Sequence, residues 1–173
     1  MTSPSVLCDS PYLKLVEGKP LTFWLAREIP EGLSPQIQDA VRDFMVSSHL
    51  PQGVNLEGFY QQTLQSIAAA SYLNQGGDLW LGTIDNQLVI YLLANISNIF
   101  DNRLAYMVSQ AWVRKDQRGQ RWVKEVWEEV RQRAKNCLCA HFGVYSSRGK
   151  TKAYCRFLGK GFHPYAEILK EEF

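Results

Sequence analysis

Apolar residues follow two different spacings along this chain, and one of them predicts a run of strands. Leu21–Ala26 is short and rich in aromatic and β-branched residues, which is typical of a strand. Leu79–Ile84 and Leu88–Ala94 flank the polar turn Asp85-Asn86-Gln87 and predict a β-hairpin. Leu104–Val113 has the same character. It therefore extends the hairpin into a three-stranded antiparallel meander.

The second spacing is helical and lies between the first strand and the hairpin. Ser34 followed by Pro35 predicts a helix start, with the serine as N-cap and the proline at the first helical position. This helix should end near His49, and a second should run from Leu56 to Leu73. The apolar positions are Ile37, Val41, Phe44 and Met45 in the first, and Phe59, Tyr60, Thr63, Leu64, Ile67, Ala70 and Leu73 in the second.

A third helix follows the meander and has the strongest amphipathic pattern in the chain. Its apolar positions are Trp122, Val123, Val126, Trp127, Val130 and Ala134. Beyond it, the pattern predicts a strand over Cys137–Tyr145, a short helix over Lys150–Leu158 and a last strand over Tyr165–Leu169. Since a helical crossover joins two parallel strands, we expect an α/β (α+β) fold with a mixed, mostly antiparallel central sheet flanked by helices.

Composition narrows the class of protein. The chain has 173 residues, which suit one domain, and we expect residues 1–20 to form an irregular lead-in. Apolar residues make up 46% and charged residues 21%, a balance typical of a globular protein, and no segment has the roughly 18 consecutive apolar residues of a membrane helix. The net charge of +2 does not indicate a nucleic-acid partner. Sparse cysteines and an N-terminus without a signal-like pattern favour the cytoplasm.

The segment between the third meander strand and the third helix is a candidate anion site. A strand, a tight turn and a helix N-terminus bring unpaired backbone N–H groups and the positive end of the helix dipole together. Four basic residues add charge there: Arg114, Lys115, Arg118 and Arg121. The same charges would also suit a solvated basic turn.

This segment resembles the pyrophosphate loop of the GNAT N-acetyltransferase superfamily, commonly written R-G-Q-G-x-G. Arg118-Gly119-Gln120 matches its first three positions, whereas Arg121 replaces the main glycine and Val123 replaces a Gly or Ala. Both replacements add bulk where the pyrophosphate should approach the backbone. The resemblance implies acetyl-CoA as cofactor, bound mostly through main-chain N–H groups. The cofactor-binding residues that it implies are Val113, Arg118, Gly119, Gln120, Arg121, Trp122 and Val123.

A second stretch near the end of the chain strengthens the resemblance. Ala153 and Gly161-Phe162 match the A-x-x-x-Y-x-x-x-G-F segment of the family, whose tyrosine can protonate the departing thiolate. That position holds Phe157, which has no proton to give. Tyr154, one turn earlier, is therefore the catalytic candidate, and a half-buried ring on an amphipathic helix is the structural alternative.

The family mechanism implies direct attack of an amine on the thioester, with the protein positioning the reactants and stabilising the oxyanion. Backbone groups near Ala111–Val113 would then contact the acyl and pantetheine portions. No general base stands out, because Tyr106, Ser109 and Gln110 fit the role of sheet residues. We predict no metal site either, since Cys137, Cys139 and His141 lack a fourth ligand and cysteines pack well as small apolar groups.

The sequence is therefore compatible with two functions. The first is an acetyl-CoA-dependent N-acetyltransferase acting on a small-molecule or protein amine, with no membrane partner and no clear nucleic-acid partner. The second is a catalytically silent GNAT-fold protein with a binding or structural role, of a kind that a virus could encode. Arg121, Val123 and Phe157 favour the second. The sequence carries no signal for an oligomeric state.

Overall fold

The computed structural model describes residues 11–48, 50, 53–72, 77–98 and 103–145. These residues form one six-stranded sheet whose strands lie in chain order, with α-helices on both faces. The elements are β1 (Tyr12–Val16), β2 (Lys19–Ala26), α1 (Leu33–Ser47), α2 (Leu56–Ser71), β3 (Asp78–Ile84), β4 (Gln87–Asn98), β5 (Leu104–Val113), a 3-10 turn (Lys115–Gln117), α3 (Arg121–Asn136) and β6 (His141–Val144).

The predicted mixed sheet is confirmed. Neighbouring strands from β1 to β5 are antiparallel, while β5 and β6, which α3 connects, are parallel. The meander is also confirmed, and β5 has the predicted bounds. Its first turn is tighter than expected, because Gln87 belongs to β4 and only Asp85 and Asn86 form the turn, with φ angles of 50° and 60°. Positive φ at both central residues is typical of a two-residue hairpin.

The expected irregular lead-in is wrong for its described part, because β1 pairs with β2 along its whole length. Glu17 and Gly18 make the turn, with φ angles of 51° and 77°. The pattern was hard to recognise because the polar Lys14 lies on the half-buried side while Leu13 and Leu15 are exposed. An edge strand of this kind inverts the usual alternation of apolar and polar residues.

The predicted start of α1 is wrong by two residues. Leu33 begins the helix and is buried, and Gly32 precedes it at φ 84°. Ser34 therefore lies within the first turn and caps nothing. The burial of Leu33 explains the earlier start, since an apolar side chain in the core outweighs one capping bond.

The predicted strand Cys137–Tyr145 is also too long. Cys137 is the C-cap of α3 and Leu138 has a φ of 57°, so the chain turns before β6 starts at His141. Cys137, Cys139 and His141 therefore do not share one strand, although the predicted bounds placed all three in it. The predicted helix over Lys150–Leu158, the strand over Tyr165–Leu169 and the ends of the first two helices at His49 and Leu73 lie outside the described residues.

The sheet carries a separate apolar layer on each face. One layer packs α3 against the sheet, with Trp122, Val126 and Trp127 buried over Phe23 and Trp80. The other layer packs α1 and α2 against the opposite face. Within the described ranges no helix is long and apolar enough to span a membrane.

Candidate functional site

The parallel strands β5 and β6 pair along only part of β5. Ala105–Val108 pairs with β6, and the Tyr145 N–H then donates to the Val108 carbonyl at 3.0 Å. Ser109–Val113, which we call the open half of β5, has no β6 partner in the described part of the chain. A bulge marks the change, because Leu93 of β4 pairs with Gln110 while Ala94 pairs with Val108. The strands therefore separate where the bulge bends β5.

The open half leads directly to a turn and a helix N-terminus at which some backbone N–H groups are unpaired. Gly119 has a φ of 83° and nothing within 4 Å of an added Cβ, so the backbone conformation, not space, favours glycine there. Gln120 is the N-cap of α3 and provides no side-chain cap. Among the described residues, the N–H groups of Gly119, Arg121 and Trp122 meet no acceptor. Together with the helix dipole, they make an anion-binding geometry.

Arg118 is held in a specific position beside this turn. Its Nε donates to the Val113 carbonyl at 2.9 Å, and its Nη2 lies 3.3 Å from Oδ2 of Asp43 on α1. The same Asp43 oxygen accepts a hydrogen bond from Nε1 of the buried Trp112 at 2.6 Å. Asp43 therefore joins α1 to the loop, and it places a carboxylate close to the candidate anion site.

The other arginines of the loop are paired locally. Arg114 makes two hydrogen bonds to Asp116, at 2.8 and 2.9 Å, and these lower the pKa of Asp116 to about 2. Arg121 points into solvent with 92% of its side chain exposed, and its Nε lies 3.3 Å from Glu125. Since each of the three loop arginines already has a carboxylate partner, the unpaired N–H groups provide most of the anion-binding capacity.

Trp122 and Val123 direct their side chains into the core. Both are buried in the layer between α3 and the sheet, and Trp122 Nε1 donates to Gln117 Oε1 at 3.3 Å. The bulk of Val123 is therefore in the core. At the start of α3 only main-chain atoms and the side chain of Arg121 are left to meet a ligand.

A cleft of about 380 Å³ opens next to the open half, between the sheet and the first two helices. Neither Arg121 nor Trp122 borders it. Its walls are Phe44, Leu50, Phe59, Gln62, Thr63, Ser66, Leu93, Ser109, Gln110, Ala111 and Tyr145. The sequence offered no motif for this cleft, because its walls come from five separate parts of the chain.

Gln110, predicted to be a sheet residue, forms the polar floor of the cleft. Its Nε2 donates to Thr63 Oγ1 at 3.0 Å, and its Oε1 accepts from the Tyr91 hydroxyl at 3.2 Å. Burial raises the pKa of Tyr91 well above its ordinary range. The amide is therefore fixed on both sides and serves to orient the floor.

The tyrosines divide between the site and the core. Tyr145 follows β6, lines the cleft and is 54% exposed. Tyr106 is fully buried, donates to Asp78 at 2.9 Å and accepts from Trp80 at 2.9 Å, so it is a sheet residue as predicted. Tyr154, Phe157 and the Gly161-Phe162 pair lie outside the described residues.

The sequence matches no protein-family profile and, at a significant level, no curated protein. Many solved structures share the fold. A predicted acetyltransferase from Clostridium acetobutylicum, solved with acetyl-CoA, is 10% identical with a TM-score of 0.64, over 88% of this chain and 96% of that one. A transcriptional regulator from Bacillus halodurans C-125 is 16% identical with a TM-score of 0.63, over 88% and 99%. A GNAT family acetyltransferase from Staphylococcus aureus is 11% identical with a TM-score of 0.59, over 88% and 98%.

These likenesses cover nearly the whole length of each matched chain at very low identity. They come from bacterial proteins and give no support for a viral origin. At such identities they establish the architecture and not the activity. The chain therefore has the fold of the GNAT N-acetyltransferase superfamily.

Proposed function

We propose that this protein binds acetyl-CoA and transfers the acetyl group to an amine. One observation carries the proposal: the unpaired N–H groups of Gly119, Arg121 and Trp122 lie at a helix N-terminus next to the open half of β5. Such a turn suits the pyrophosphate of coenzyme A. The unpaired edge of an extended strand suits the two amides of its pantetheine arm, which can pair with it as another strand would.

The cleft then receives the amine. Its nitrogen attacks the thioester carbonyl directly, and main-chain N–H groups of the open half stabilise the oxyanion. The side chain of Val113 plays no part in this scheme, and its carbonyl becomes available to pantetheine only when Arg118 moves away. Tyr154 stays the proposed proton donor to the thiolate. Tyr145, whose ring lines the cleft, is an alternative donor.

The alternative of a silent binding protein also has a specific observation in its favour. Asp43 places a carboxylate beside Arg118, where it would repel a pyrophosphate unless the contact breaks. One matched structure is described as a transcriptional regulator, so the same architecture is known outside proteins named as enzymes.

Thermal denaturation with acetyl-CoA separates the two functions. A ligand at a hundredfold excess over its Kd stabilises the native state by about 2.7 kcal/mol. For a chain of this size that raises Tm by about 5–10 °C. No shift at millimolar acetyl-CoA would contradict the proposed cofactor. A shift without amine-dependent release of coenzyme A would favour the silent binding protein.

Two glycines allow a matched test of the site. Gly119→Pro removes a ligand N–H and forces φ from 83° to the negative value of proline, so the Tm shift should disappear. Gly32→Pro is the control, because Gly32 has a φ of 84°, also precedes a helix and also has open space around it. It should lower the starting Tm and leave the shift intact. Equal shifts in both variants would place the cofactor elsewhere.

A further inference from the structure

The described lining of the cleft carries no formal charge. Among the described residues that form it there is no carboxylate, imidazole, ammonium or guanidinium group. Its polar groups are hydroxyls and amides, and Gln110 and Ser109 are already bonded, the latter to the Leu93 carbonyl at 3.1 Å. Its apolar walls include Phe44 and Phe59.

The charged groups on the bordering helices are bound elsewhere. Asp43, next to Phe44, accepts a hydrogen bond from Trp112 and pairs with Arg118. Asp39 pairs with Arg42, whose guanidinium also lies 5.1 Å from the centre of the Tyr60 ring. Glu57 of α2 accepts from Gln61 at 2.7 Å, and β4 and the open half of β5 contribute no charged side chain to the lining.

A neutral cleft disfavours a charged amine in two ways. Moving an ammonium group out of water without an anionic partner costs free energy. An ammonium nitrogen also has no lone pair, so it must first lose a proton, and the described lining contains no carboxylate or imidazole to act as general base. Lysine ε-amines and polyamines are ammonium ions at neutral pH, since the ordinary lysine pKa is about 10.4.

We infer that the acceptor is an uncharged, weakly basic amine carried on an apolar or aromatic body, and this rests on the proposed acetyl transfer. The nitrogen lone pair forms the new C–N bond while the C–S bond breaks. The tyrosine proposed as proton donor protonates the departing thiolate and regains the proton that nitrogen loses to water, so the products are an amide and free coenzyme A. A cleft of about 380 Å³ is in the usual range for a small ring-bearing ligand.

A pair of amines of similar shape tests this directly. 1-Naphthylamine is neutral at pH 7, whereas 1-naphthylmethylamine is an ammonium ion. Binding is measured calorimetrically on the full chain, with and without coenzyme A, and spermidine serves as the polycation. The neutral amine should bind at least about tenfold more tightly at pH 7, a gap of about 1.4 kcal/mol. The gap should narrow as rising pH deprotonates the second amine.

Two charge variants on α2 provide the matched control. Gln62→Glu places a carboxylate in the lining, while Gln65→Glu adds the same charge to the same helix outside it. Both positions are exposed, so both variants should fold. Gln62→Glu should shift the preference towards the ammonium amine by about tenfold, as a paired charge in a partly desolvated site would. Gln65→Glu should leave the preference unchanged.

The outcomes distinguish this inference from the proposed function. If naphthylamine binds and acetyl-CoA does not, the acetyl transfer fails and the neutral amine site stands. If acetyl-CoA binds but spermidine or the ammonium amine binds as tightly as naphthylamine at pH 7, the inference alone fails. Absence of naphthylamine binding at millimolar concentration overturns the inference whatever coenzyme A does.

Discussion

The two halves of β5 belong to one strand and have opposite environments. Along Ala105–Val108 the strand is paired on both edges, and Tyr106 lies in a buried network with Asp78, Trp80 and Arg133. Along Ser109–Val113 one edge has no partner in the described chain, and Ser109, Gln110 and Ala111 border a cleft. We call the first stretch the closed half.

The difference shows how one strand can both hold the fold and present a site. In the closed half each polar side chain of the network has its partner, which makes that end rigid. In the open half the unpaired groups are main-chain N–H and carbonyl groups, which need no particular side chain. A ligand can therefore bind to the open half without disturbing the closed half.

The largest expected effect comes from breaking the closed half. Asp78→Ala removes the carboxylate that accepts from Tyr106 and from Arg133 at 3.0 Å. The buried Tyr106 hydroxyl then lacks its acceptor, and the mostly buried Arg133 guanidinium loses its pairing with this carboxylate. We expect a loss of about 3 kcal/mol in the free energy of unfolding, measured by urea denaturation.

Asp39→Ala is the control for this variant. Asp39 also pairs with an arginine, Arg42, but 77% of its side chain is exposed, so the loss should be below about 0.5 kcal/mol. The Tm shift with acetyl-CoA should be the same in both variants. An Asp78 variant as stable as the Asp39 variant would show that the network does not stabilise the closed half.

A smaller effect is expected at the end of the open half. Asp43→Asn keeps an acceptor for Trp112 but removes the negative charge beside Arg118. Arg118 is then available to a phosphate, and a repulsive charge is gone. Coenzyme A should bind about three- to tenfold more tightly by calorimetry, a gain of about 1 kcal/mol. Asp39→Asn on the same helix should change nothing, and weaker binding in the Asp43 variant would contradict this account.

Much of the closed half could be predicted from sequence. The bounds of β5 and the parallel pairing through α3 followed from local apolar patterns and from the handedness of crossovers. β1 could not be predicted because its exposed residues are leucines, so no local pattern marks which side faces the core. The start of α1 could not be predicted because burial of Leu33, a tertiary effect, outweighed the capping signal of Ser34.

The site at the open half could be predicted less well from the sequence, for a different reason. The loop sequence predicted a turn and a helix N-terminus, but not that Asp43, 75 residues away along the chain, holds Arg118. The cleft could not be predicted, since Phe44, Thr63, Gln110 and Tyr145 meet only through the packing of two helices on the strand bulge. Local patterns predict elements, whereas a cleft depends on contacts between distant residues.

A still smaller effect tests whether the anion site uses main-chain or side-chain groups. Arg121 replaces the main glycine of the loop pattern, yet its side chain is exposed and pairs with Glu125 at 3.3 Å. If main-chain N–H groups hold the pyrophosphate, Arg121→Ala should weaken coenzyme A binding only about two- to threefold. This loss should vanish in high salt, which screens exposed charges. A loss of coenzyme A affinity that persists in high salt would show that the Arg121 side chain binds a phosphate directly.

The smallest effect concerns the pairing of Arg114 with Asp116, which fixes the turn between the open half and α3. These hydrogen bonds lower the pKa of Asp116 to about 2, below the ordinary aspartate value of about 3.9. A lowered pKa means that the pair stabilises the fold above about pH 4 and loses this contribution as the pH falls towards 2. Because 56% of the Asp116 side chain is exposed, the contribution should not exceed about 0.5 kcal/mol. Asp116→Asn should therefore lower Tm slightly at pH 7, and the difference should shrink as the solution is acidified.

NMR titration of the Asp116 carboxyl provides the direct measurement. The carboxyl should still be ionised at pH 3, and Arg114→Ala should return its titration midpoint towards 3.9. An ordinary midpoint in the unmodified protein would show that the turn is not fixed by this pair, and the rigidity of the loop would then depend on Arg118 and Asp43.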